Sequence, residues 1–161
     1  MAPFAPAELS ESVQKLGSKS DPKLHLYTVG TPNGHKASIL LEELIAAYPD
    51  SPPLYDFIPI SFAENTQKTP EFLAINPNGR IPALVDDNTQ VDGKGHNVFE
   101  SVSILLWLVE KYDKDNKFWF GEGEDVLRSK AFSWMVSFSL CLFDLRQPFV
   151  WIPSCLWQVE C

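Results

Sequence analysis

The chain has 161 residues, 45% apolar and 21% charged, with a formal net charge of −8. That leaves room for one ordinary domain, or a small domain and part of another, and excludes a disordered polymer. The negative charge argues for solubility and against a nucleic-acid or anionic-membrane partner, but says nothing about fold.

The opening "MAPFAPAELSESVQKLGSKSDPK" has neither a basic start nor an apolar core, so residues 1–22 read as a polar leader rather than a signal peptide. Residues 23–29, "KLHLYTV", alternate and favour a strand. In "TPNGHKASILLEELIAAY", Thr31 suits an N-cap and Pro32 the first helical position. Ala37, Leu40, Leu41, Leu44 and Tyr48 recur at helical spacing, and the helix should stop before Pro49. A second strand covers Pro53 to Ile60, and its Pro59 implies a sheet edge or a strand end.

"SFAENTQKT" is a polar loop, and "TPEFLAINPNG" allows at most two helical turns, capped by Thr69 and stopped by Gly79. "PALVDD" is a third strand. "NTQVDGKGHN" holds turn residues, and "NVF" is a short fourth strand, so this pair reads as a hairpin. "ESVSILLWLVEKYDKD" is a helix whose apolar face is expected at Val102, Leu105, Leu106 and Val109. A linker over 114–124 leads to a further helix from Asp125. The order is βαβ, α, ββα, then linker and helix. A long helix between the first two strands makes them parallel, and the next two are antiparallel. The expected fold class is α/β: a thioredoxin-like domain over 23–113, with a mixed four-stranded sheet and helices on both faces. The start of an all-α domain follows over 125–161.

The stretch "NPNGRIPALVDD" enters its strand through Pro82, which gives up a ladder hydrogen bond. Taken alone it leaves a cis Ile81–Pro82 bond and an ordinary trans-proline equally open. Three segments in order, "HLYTVGTPNGHKASILLEEL", "TQKTPEFLAINPNGRIPALVDD" and "VFESVSILLWLVEKYDKD", resemble the N-terminal half of fungal glutathione S-transferases. Within that family the chain is most similar to the subgroup related to the yeast nitrogen-regulation, prion-forming protein. The resemblance spans roughly residues 24–135 and implies a cis Ile81–Pro82 bond. The Ile81 backbone would then pair with glutathione, the substrate, as with a short added strand.

The resemblance also assigns the remaining ligand contacts. Glu100 and Ser101 would hold the γ-glutamyl end, although by spacing alone they could simply cap a helix. Thr31 and Asn33 would stabilise the thiolate at a helix start; the lesser alternative is that Asn33 and Gly34 only shape the turn. Asn33 is a donor and can be neither base nor nucleophile. Gln67 matches a position that contacts the glutathione backbone, and Arg80 one that faces the glycyl carboxylate. The implied activity is conjugation of the glutathione thiolate to an electrophile. Glutathione-dependent disulfide reduction and non-enzymatic regulatory binding are alternatives. No cysteine precedes Cys141, which argues against a covalent cysteine mechanism.

Tyr27 reads as core, His25 and His96 as incidental, and His35 has no assigned role. No cluster has metal-ligand spacing. The three cysteines, Cys141, Cys155 and Cys161, form no disulfide framework, so a reduced, cytoplasmic protein is expected. Similarity to the family fades after about Phe138. Residues 139–161 diverge, which reads as a shortened second domain; an exposed apolar face with low stability, aggregation or homodimerisation is the expected consequence. No membrane partner is expected.

Overall fold

The computed structural model of the protein describes residues 22–144, and their side chains up to residue 139. The leader (to residue 21), Cys155, Cys161 and most of the divergent tail lie outside the described residues, as does the Cys141 side chain.

In chain order the elements are β1 (Leu24–Thr28), α1 (Pro32–Ala47), β2 (Tyr55–Pro59), a 3-10 turn (Thr66–Lys68), α2 (Pro70–Ile75), β3 (Ala83–Val91), β4 (Lys94–Phe99), α3 (Ser101–Tyr112) and α4 (Asp125–Asp144). The strands form one mixed sheet in the order β2-β1-β3-β4. β1 is parallel to β2 and antiparallel to β3, and β3 is antiparallel to β4. This is the thioredoxin-like arrangement. Pro59 ends β2, an edge strand, where its missing N–H costs no ladder bond.

Alternation along β1 sorts its side chains between the two faces. Leu24 and Leu26 are fully buried with Ala37, Leu41 and Leu44 of α1, Tyr55 and Leu84 of the sheet, and Ile104 and Leu108 of α3. On the opposite face, Ile60, Phe72 and Ala83 form a smaller cluster with Tyr27, Ile75 and Ile81. Tyr27 meets the Phe72 ring edge-on at 6.1 Å, a packing role.

Two expectations need correction. The buried face of α3 is Ser101, Ile104, Leu108 and Val109, so Val109 was expected correctly and Val102, Leu105 and Leu106 were not. The unbroken apolar run Ile104–Val109 wraps the middle of α3 and leaves several faces open to periodicity; contact with α1 and the sheet chose among them. The hairpin strands are also longer than expected. Asp92 (φ 52°) and Gly93 (φ 76°) make the turn itself, the left-handed pair that suits a two-residue hairpin. A bulge between Asp86 and Gln90 absorbs the register change.

Nor are the histidines idle. His25 lies between two carboxylates, Nδ1 3.3 Å from Asp56 and Nε2 3.2 Å from Asp87, tying three adjacent strands. His96 stacks on Trp107 at 4.5 Å.

Past α3 the chain is pinned by Asp113, only 5% exposed. Its Oδ1 accepts from Lys117 N at 2.8 Å, and its Oδ2 from Phe118 N at 2.8 Å and Trp119 N at 2.9 Å. The Tyr48 hydroxyl donates to the same carboxylate. Burial pushes the Asp113 carboxyl up, but the Tyr48 hydroxyl and the three N–H groups outweigh it and hold the group below its ordinary value. Stability from a depressed carboxylate is complete above its unfolded value, about 3.9, and is lost as pH falls through the lower folded value. Asp113→Asn should therefore cost roughly 1–3 kcal/mol at neutral pH. The deficit should shrink as pH drops below about 4. Urea unfolding at a series of pH values measures this; a deficit independent of pH would show that the charge is not what holds the turn.

Candidate functional site

Tyr27, Ala83 and Phe99 lie in one row across β1, β3 and β4. Because β3 runs against both neighbours, β1 and β4 leave the sheet at the end where β3 enters it. β1 exits there into Thr31, Asn33 and α1. β4 exits into Glu100, Ser101 and α3. β3 is entered through Arg80, Ile81 and Pro82. Topology alone thus gathers these candidates at one end of the sheet.

The start of α1 is set by close packing. Thr31 is its N-cap, and its Oγ1 accepts from Gly34 N at 3.1 Å, which leaves the hydroxyl proton to donate elsewhere. A methyl group on Gly34 would sit 2.6 Å from the Val29 carbonyl oxygen and closer still to Thr28 Oγ1. Only glycine allows this approach. Gly34 therefore shapes the turn, whereas the Asn33 side chain does not cap it. Asn33 is half-buried, and its Oδ1 accepts from Lys36 Nζ at 3.0 Å.

The Ile81–Pro82 bond is cis, and Pro82 is buried. Among the described residues, neither the N–H nor the C=O of Ile81 has a hydrogen-bond partner. Arg80 is exposed, and its carbonyl accepts from Asn76 Nδ2 at 2.7 Å. Gln67 lies in the 3-10 turn, against Gly79: a methyl there would be 2.8 Å from the Gln67 carbonyl oxygen. Its Oε1 is buried without a partner, an acceptor waiting for a donor.

Glu100 is exposed and has φ 71° and ψ 127°, a conformation that costs energy for any residue but glycine. Its carboxylate makes no cap bond to α3; instead Oε1 accepts from Asn78 Nδ2 at 3.4 Å. Glu100 is therefore the N-cap of α3 by position, its carbonyl accepting from Ile104 N at 3.0 Å, while its side chain takes no part in the cap. Ser101 opens α3 and is 6% exposed. The first-turn N–H groups of this twelve-residue helix, with no side-chain cap, are oriented for an anion.

Glu100, Ser101 and Val102 line a cavity of about 200 Å³ whose far wall is Val136 and Ser139 of α4. Ser139 Oγ accepts from Lys36 Nζ at 3.2 Å, so a hydrogen-bond chain runs from this wall residue through Lys36 to Asn33. A second cavity, about 310 Å³, lies at the opposite end of the sheet between Lys23, Ser51, Asn88, Lys111 and Lys114, away from every candidate.

Lys36, Asn78, Val136 and Ser139 escaped the sequence reading. Lys36 was within reach, since it follows Asn33 by three residues on a helix and faces the same way. The α4 residues arrive through tertiary packing, which no local pattern reports.

Together the site offers hydroxyl and amide donors at the start of α1, a free backbone pair at Ile81, and anion-binding N–H groups at the start of α3. It adds the Glu100 carboxylate for an ammonium and the orphan Gln67 acceptor. Such groups fit a short peptide that bears a thiolate, a carboxylate and an ammonium. Among the described residues, no group of three or more His, Cys, Asp or Glu could hold a metal.

The glutathione S-transferase N-terminal domain pattern matches residues 22–110, more than half of the chain. The disulfide-bond oxidoreductase YfcG of Escherichia coli K12 is 43% identical over 88 residues, covering 55% of this chain and 38% of that protein. The URE2 protein of Meyerozyma guilliermondii is 42% identical over 88 residues, covering 53% of this chain and 25% of that protein. A crystal structure of a glutathione transferase homologue from Lodderomyces elongisporus, with two glutathione molecules per subunit, superposes with a TM-score of 0.62. It is 35% identical and covers 73% of this chain and 50% of that one. The chain thus spans half or less of the length of each of these proteins.

The φ of Glu100 makes a prediction about stability. Glu100→Gly should raise the thermal midpoint of the ligand-free protein by relieving roughly 1 kcal/mol of backbone strain. Differential scanning calorimetry decides it: a lower midpoint would mean that the Asn78 contact outweighs the strain.

Proposed function

We propose a function from one premise: this chain belongs to the glutathione S-transferase family. It binds glutathione as a substrate at the end of the sheet and conjugates its thiolate to an electrophile. The observation that carries this reading is the unpaired Ile81 backbone, set at the sheet end from which two helices start.

The cysteinyl unit pairs with the Ile81 N–H and C=O beside the buried Pro82, as an added strand would. The Glu100 carboxylate accepts from the γ-glutamyl ammonium. Ser101 and the first N–H groups of α3 donate to the γ-glutamyl carboxylate. Gln67 contacts the peptide backbone, and Arg80 faces the glycyl carboxylate. Thr31 and the Asn33 NH₂ donate to the sulfur. These donors and the α1 N-terminus favour the thiolate, and the thiol proton goes to solvent. The thiolate electron pair then forms a bond to the electrophile as its leaving group departs, with no covalent enzyme intermediate.

A second reading is glutathione-dependent disulfide reduction, favoured by the similarity to an E. coli disulfide-bond oxidoreductase; with no cysteine before Cys141, glutathione itself would supply the thiols. Bound glutathione thiolate would attack a glutathione mixed disulfide; glutathione disulfide forms and the other thiolate leaves. Binding without turnover, within a subgroup related to the yeast nitrogen-regulation protein, is the third outcome. The domain division at 23–113 and 125–161 belongs to the same proposal. So does a homodimer through exposed apolar residues of α4, among them Leu127, Phe132, Trp134 and Phe138. A reducing cytoplasm suits a chain whose cysteines form no disulfide framework.

Millimolar glutathione should raise the thermal midpoint saturably, as a ligand of the native state does. Asn33→Ala should weaken the shift, and Glu100→Ala should weaken it most. Turnover of a model electrophile and of a mixed disulfide would then separate conjugation, reduction and simple binding. A wild-type midpoint that ignores glutathione would defeat the reading.

A further inference from the structure

We infer that Lys36 is a positioning residue for the sulfur site: by donating to Asn33 Oδ1 it turns the Asn33 NH₂ toward the bound thiolate, and Ser139 of α4 holds it there. The inference rests on the glutathione reading above.

An ammonium has donors and no acceptor, so the amide arm that faces it at 3.0 Å must be the oxygen. The opposite arm is then the NH₂. Without Lys36 the amide could rotate and offer its oxygen to the sulfur, which would repel a thiolate. Lys36 is held in place from the other side as well. Nζ donates to Ser139 Oγ at 3.2 Å and lies 5.2 Å from the centre of the Phe138 ring. Among the described residues no carboxylate pairs with it, although the chain carries a net charge of −8. Lys36 is thus a half-buried cation with no carboxylate partner among the described residues, one turn into the helix whose N-terminus already favours an anion. Burial lowers its pKa below the ordinary lysine value.

The arrangement also explains why α4 belongs to the site. Ser139 touches Lys36, and Lys36 sets the Asn33 amide, so a helix outside the sheet domain controls the orientation of a donor inside it.

The test compares the full-length wild type, Lys36→Met, Lys36→Arg and Ser139→Ala. Thiolate absorption of bound glutathione is titrated with pH, and S-methylglutathione, which has no ionisable thiol, measures binding alone. Lys36→Met should raise the apparent pKa of the bound thiol by about one unit. Its affinity for S-methylglutathione should stay within about twofold of wild type, since the other contacts remain. Lys36→Arg, another pure donor, should restore the pKa, and Ser139→Ala should shift it less but in the same direction. If Lys36→Met does not fold, the Ser139→Ala shift decides. An unmoved thiol pKa, with S-methylglutathione still bound, overturns the role of Lys36 and leaves the glutathione reading standing. If the wild type binds neither ligand, both fall.

Discussion

The site depends on one close approach, that of the first turn of α1 to the end of β1. Gly34 passes the Val29 carbonyl and Thr28 Oγ1 where no side chain fits. That contact fixes the depth of the helix start. From it follow the Thr31 cap, the position of Asn33 and the direction of the helix N–H groups. It also places Lys36 one turn further on, where α4 can reach it. A looser junction would keep the helix and lose the fixed placement of these donors, and a polar site works only when its donors are held in place beforehand.

A second set of contacts does for α3 what Gly34 does for α1. Asp86 of β3 is completely buried, and such a charge is costly unless its oxygens are satisfied. Here Oδ2 accepts from Trp107 Nε1 at 2.9 Å and from the Tyr112 hydroxyl at 3.0 Å, and Oδ1 from Asn88 N at 2.9 Å. Burial pushes the Tyr112 hydroxyl up to about 12; the Asn88 bond opposes this and Asp86 adds to it. Two donors from α3 on one strand carboxylate fix how the helix rolls on the sheet. That in turn points Ser101 and the first-turn N–H groups of α3 at the sheet end. Asp113, at the far end of the helix, stops it from sliding.

How much of this was legible in the sequence depended on whether local chemistry or long-range packing made the choice. β1 and α1 were readable because each has one buried face, and alternation or helical spacing marks it. The order of elements then left one plausible topology. The face of α3 was misread, since the unbroken apolar run Ile104–Val109 wraps the middle of the helix and leaves several faces open. The hairpin was underestimated because Asn88 to Gln90 are polar, so they look like a turn although they pair or bulge within β3. Of the site, Pro82 could be noticed because a proline sits badly at the mouth of a strand, whereas Glu100 and Ser101 look like an ordinary helix start and stand out only through the family resemblance. The polar ties from Asp86 and Asp113 join residues far apart in sequence, and nothing local announces them.

α4 raises a different question. Trp134 is 76% exposed and Phe138 59%, yet Val136 and Ser139, between and beside them, wall the cavity at Ser101. The helix therefore serves the site with one side and leaves apolar surface open on the other. Its attachment through Lys36 and the α3 surface is modest compared with the core under the sheet. The Lys36–Ser139 bond and the cavity wall at Ser101 are the two places where α4 meets the candidate site.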